Sequence, residues 1–100
     1  MDGRVRESVL AKIDETISAI DEVLKIREML CDIPVTSSDD FLFGIALGRI
    51  YNSFHYQTRR ALKRNATKEE FAEFVEVLAT RAEEIRNALK QQYRNQGREQ

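Results

Sequence analysis

Residues 38–64 read SDDFLFGIALGRIYNSFHYQTRRALKR, and the fold turns on how this stretch is understood. It opens with the chemistry of a helix start. The hydroxyl of Ser37 or Ser38 can accept from the first unbonded N–H groups, and Asp39 and Asp40 follow where the helix dipole favours anions. At about 100° per residue, Phe43, Leu47, Ile50, Phe54 and Ala61 share one face of this helix, and Phe41, Ile45, Asn52, Tyr56 and Arg59 lie nearly opposite. A helix of a small bundle normally carries one apolar stripe. This one is apolar on both sides through its first half. It is either the most enclosed helix of the protein or the seam of a homodimer, and the second reading places Phe41, Ile45, Gly48, Asn52 and Tyr56 at the dimer interface. Gly44 and Gly48, four apart on the flank between the faces, fit close helix packing in either case.

On the N-terminal side, Leu10, Ile13, Ile17, Ile20 and Leu24 alternate spacings of three and four, and Val23, Ile26, Leu30 and Ile33 take over as a second track. This predicts one helix over about 3–32, ended by the segment around Pro34. On the C-terminal side, Asn65 is a left-handed stop residue, and Thr67-Lys68-Glu69-Glu70 has the form of a capping box. A third helix over about 68–93 then carries Phe71, Phe74, Val75, Leu78, Ala82, Ile85 and Leu89 on one stripe, with a polar tail over 94–100. Short breaks between long helices make neighbours antiparallel. The expected fold is therefore all-α: a single domain over 1–93, an up-down-up three-helix bundle, completed as a larger bundle by homodimerisation.

Composition narrows the function. The chain has 100 residues, 42% of them hydrophobic and 33% charged. That excludes disorder and gives one domain. No apolar run approaches the roughly 20 residues that span a bilayer, and residues 1–8 lack the apolar core of a signal peptide, so a cytoplasmic protein without a membrane partner is expected. The lone Cys31 excludes an internal disulfide. The formal charge of -1 hides segregation: residues 1–48 carry -5, residues 49–68 carry +6 with no acid, and residues 69–100 carry -2. Such asymmetry points to nucleic acid or another anionic partner.

The most chemically loaded stretch is 48–59, where Arg49, Tyr51, Asn52, His55, Tyr56 and Arg59 interrupt an apolar helix. His55 is the only side chain with an ordinary pKa near neutrality, so acid–base chemistry would run through it; the structural alternative is hydrogen bonding across a dimer seam. Arg49-x5-His55, followed by Tyr56, resembles the Arg-x4-6-His motif of the HEPN family of small helical nucleic-acid-associated domains. Many members are metal-independent ribonucleases whose motifs meet across a dimer. The resemblance implies that Arg49 holds phosphate, that His55 assists attack by a ribose 2′-hydroxyl, and that Tyr56 sits at the cleft edge. Ile50 departs from that family, where a polar residue usually follows the Arg, and the expected fold is one helix short of its four.

The run Arg59-Arg60-Ala61-Leu62-Lys63-Arg64 suits a helix C-terminus, where cations complement the dipole. It also suits phosphate, with Tyr56 available for stacking on bases. With one His and one Cys, the chain offers no zinc or di-iron ligand set, and no cofactor is expected. The combined reading is a binding or assembly protein that takes RNA or DNA on Arg59, Arg60, Lys63, Arg64 and Tyr56. The alternatives are a ribonuclease using Arg49 and His55, and a protein–protein adaptor.

Overall fold

The computed structural model describes residues 1–95, with side chains through 92. It contains four helices: α1 Gly3–Ser18, α2 Ile20–Met29, α3 Ser38–Leu62 and α4 Lys68–Asn95. The fold is all-α. The polar tail expected over 94–100 begins inside α4, and residues 96–100 lie outside the described residues.

The single helix expected over 3–32 is two. Ala19 (φ -105°, ψ 27°) still donates to the Glu15 carbonyl at 2.9 Å, but its own carbonyl accepts from the Glu22 N–H at 3.0 Å, a tighter three-residue closure. The buried row runs through the break without a gap, as Val5, Val9, Ile13, Thr16, Ile20, Val23 and Leu24. Neither Pro nor Gly marks the spot, so apolar periodicity has nothing to register. Of the second track only Val23 is core: Ile26, Leu30 and Ile33 are exposed. The helix also ends sooner than expected, at Met29. Beyond it Arg27 organises the connection, its guanidinium donating to the carbonyls of Leu30 and Ile33 and to the Ser38 hydroxyl at 3.0–3.3 Å.

Ser37 caps α3, its hydroxyl accepting from the Asp40 N–H at 3.2 Å. The buried stripe is Leu42, Ala46, Ile50, Phe54 and Thr58. This differs from the expected Phe43–Ala61 face because a strict four-residue row winds around a 3.6-residue helix. A winding row lets one helix meet several neighbours, and α3 packs against α1, α2 and α4. It also accounts for the two-sided pattern. Phe41 lies beneath Arg27 of α2 and Phe43 beneath Arg86 of α4, with the guanidinium carbons 5.8 and 4.0 Å from the ring centres. Phe41 and Phe43, on two sides of the apolar first half, are thus each covered from within the chain.

α3 stops two residues before the expected Asn65. Lys63 takes the left-handed conformation at φ 59°, and its N–H closes on the Arg59 carbonyl at 3.0 Å. Thr67 and Glu70 form the capping box, each side chain accepting from the other's N–H, at 3.1 and 2.8 Å. On α4 the buried residues are Phe74, Val77, Ile85 and Leu89, while Phe71 and Val75 are exposed. Phe54 and Phe74 stack at 4.4 Å in the centre.

Neighbouring helices pair in opposite senses. Arg49 of α3 reaches Glu15 and Glu22 while Arg4 shares a cleft with Arg60 and Lys63, so α1–α2 runs against α3. The Phe54–Phe74 stack and the Asp40–Arg86 ion pair do the same for α3 and α4. Among the described residues no helix is long and apolar enough to cross a membrane.

A methyl group added at Gly44 or Gly48 would meet nothing within 4 Å. Packing inside the chain therefore does not require these glycines, although each costs about 0.8–1.0 kcal/mol relative to Ala in a helix interior.

Candidate nucleic-acid interface

The seam between α1 and α3 is lined by short side chains. Ser8 and Ala11 on α1 face Ser53, Gln57 and Ala61 on α3, and three adjoining clefts of about 380, 230 and 310 Å³ open between them. Gln57 lines all three, so they form one continuous groove. Long cationic side chains border it. Arg4, Arg60 and Lys63 surround one end, and Lys12, Arg49, Asn52 and Tyr56 surround the other. Among the described residues Glu15 is the one acid lining these clefts.

These cations differ in availability. Arg60 and Lys63 form no ion pair with the described residues, and both are exposed. Arg4 is held by Asp2 at 3.3 Å but its side chain is 71% exposed. Lys12 donates to Glu15 at 3.2 Å. Arg49 is the most committed. One Nη donates to Glu15 at 2.6 Å and the other to Glu22 at 3.0 Å, so it spans the break at Ala19. Hydrogen bonding to Glu15, then Glu22, raises the Arg49 pKa above its usual value, and the Glu15 carboxyl is lowered chiefly by Arg49 and then by Lys12.

The candidate catalytic pair is not brought together within the chain. Arg49 faces α1 and α2, whereas His55 lies on the α4 side among rings: Tyr51 at 4.7 Å, Phe54 at 5.0 Å and Phe71 at 6.1 Å. His55 makes no hydrogen bond to a described residue, so no described carboxylate orients it.

The basic run divides in three. Arg60 and Lys63 enter the groove. Arg59 is exposed and unpaired among the described residues, about 100° round the helix from Arg60. Arg64 turns to Glu70, donating to both carboxylate oxygens at 2.7 and 3.1 Å. The residues expected at a dimer seam divide as well: Phe41 and Ile45 pack against the chain's own core, Gly48 is open, and Asn52 and Tyr56 line the groove.

Comparison with known proteins finds no match: no family model fits the chain, and neither a curated protein nor a solved structure is similar to it.

Sequence reasoning missed the α1 wall of the groove. Arg4, Ser8 and Lys12 form a row at four-residue spacing beside the buried row Val5, Val9 and Ile13, and that polar row was the available signal. Among the described residues no group of three His, Cys, Asp or Glu could hold a metal ion.

Proposed function

We propose that the protein is a nucleic-acid-binding module whose α1–α3 groove takes the backbone of a short single-stranded segment. The observation that carries this reading is the meeting of Arg60 and Lys63, unpaired among the described residues, with Arg4 around one polar cleft that continues past Gln57 to the exposed ring of Tyr56. Cations along a groove neutralise phosphates, and an exposed ring at its edge gives a base a stacking surface. The alternative, a metal-independent ribonuclease using Arg49 and His55, draws no support from their placement, since Arg49 is engaged by two carboxylates and His55 sits on another flank.

Fluorescence anisotropy with labelled single-stranded RNA and DNA across a salt series tests the reading. Binding is expected to weaken steeply with salt, with a log–log slope of about -0.7 for each phosphate neutralised. Arg60→Ala with Lys63→Ala flattens that slope. Absent binding, or binding indifferent to salt, removes the proposal.

A further inference from the structure

On the flank of α3 turned away from the groove, Gly44, Gly48, Tyr51 and His55 form one row at spacings of four, three and four. Beside it α4 contributes Phe71 and Val75. Phe71 lies 6.2 Å from Tyr51 and 6.1 Å from His55, which joins the two helices into one surface. Tyr51, Phe71 and Val75 are all exposed. In a chain whose residues are 33% charged, the α3 row carries no Asp, Glu, Lys or Arg between Asp40 at one end and Arg59 at the other. Contiguous uncharged, aromatic surface of this kind marks a contact site. The two glycines add shape to it: their missing side chains serve no packing inside the chain and leave an open trough along the helix.

We propose that this face is the seam of a homodimer in which the α3 helices of two chains pack antiparallel across the glycines. A two-fold axis at the level of Arg49 and Ile50 makes the row self-complementary, because in such an interface each contact occurs twice. Tyr51 then lies over the partner's Gly48, His55 lies over the partner's Gly44, and Arg59 reaches the partner's Asp40. Large side chains meet missing ones and a cation meets an anion, so size and charge select the same register. A parallel pairing in register would set Tyr51 against Tyr51 and Arg59 against Arg59, which both size and charge oppose. Arg59 has no ion pair among the described residues. The Asp40 side chain is 72% exposed even with Arg86 at 3.3 Å, which leaves room for a second cation. This seam shares Gly48 with the one read from the sequence but not its Phe41 and Ile45, which pack against the chain's own core. It is also separate from the groove, so it stands whether or not nucleic acid binds.

Analytical ultracentrifugation of the full chain from about 1 to 100 µM tests the seam. A dimer is expected in the upper part of that range. Gly48→Leu fills the trough and weakens dimerisation at least tenfold. Its Cβ enters open space, so the thermal midpoint and helical circular dichroism of the monomer are expected to be unchanged or improved. Arg59→Asp weakens the dimer, and adding Asp40→Arg restores it. Arg60→Ala with Lys63→Ala leaves it unaltered. A wild-type chain that stays monomeric throughout the range overturns the proposal, and so does a Gly48→Leu chain that dimerises like wild type.

Discussion

Arg64 and Glu70 face each other across the turn from α3 to α4, and the same Glu70 carboxylate also accepts from the Thr67 N–H at 2.8 Å. One acid thus ties the end of one helix to the cap of the next. The Arg64 hydrogen bond, then the Thr67 N–H, hold its pKa at about 2, down from 4.5. A lowered carboxyl contributes stability that is complete above its unfolded pKa and is lost as pH falls through the folded one. Glu70→Ala is therefore expected to destabilise by about 1 kcal/mol at pH 6. The deficit relative to wild type shrinks between pH 4.5 and 2. Urea unfolding at several pH values measures it.

Arg49 clasps one carboxylate on each side of the Ala19 break. Arg49→Met is expected to cost about 1 kcal/mol, the upper range for partly exposed ion pairs. The cost falls at high salt. A double-mutant cycle with Glu15→Gln and Glu22→Gln should show coupling to both acids; coupling to neither contradicts the bridge.

Phe54 is wholly buried and stacks on Phe74 at 4.4 Å. Phe54→Ala is expected to cost about 3–5 kcal/mol by leaving a void between α3 and α4. Phe71→Ala, at a residue 38% exposed, is expected to cost much less in the isolated chain. The two midpoints in urea give the comparison.

Lys63 holds a left-handed backbone that costs a non-glycine residue roughly 1 kcal/mol. Lys63→Gly is expected to raise stability by a few tenths to about 1 kcal/mol. It also removes a groove cation, so the same variant should melt higher and bind nucleic acid less well.

Arg60 and Arg64 are four residues apart and both basic, yet the structure separates their roles. Arg60→Ala should lower the magnitude of the salt slope of binding by about 0.7 and leave thermal stability nearly unchanged. Arg64→Ala should do the reverse, since its guanidinium is spent on Glu70.

Legibility followed the range of each interaction. The Thr67–Glu70 cap and the Ser37 start were readable because their chemistry is complete within four residues. The Ala19 break was not, since its apolar row is continuous and the arginine that spans it stands far along the chain. The buried face of α3 was legible only in part: Ile50 and Phe54 stand on the expected face, but the row winds, and Leu42 and Thr58 are buried on different sides of the helix. Of the candidate site, Arg60, Lys63 and Tyr56 were legible from charge and spacing. The commitments of Arg49 and Arg64 were not, because their acids lie on other helices. The wall supplied by Arg4, Ser8 and Lys12 depended on knowing that α1 lies beside the second half of α3.

The length of α3 has an electrostatic consequence. Its 25 residues separate Asp39 and Asp40 in the first turn from Arg60 at the far end by about 30 Å, several times the roughly 8 Å screening distance at physiological ionic strength. At that separation the two ends do not neutralise each other in the eyes of an approaching ion. A chain whose composition gives an isoelectric point of about 5.9 should therefore be retained at neutral pH on a phosphate-bearing resin, basic end inward, where its net charge alone would send it through.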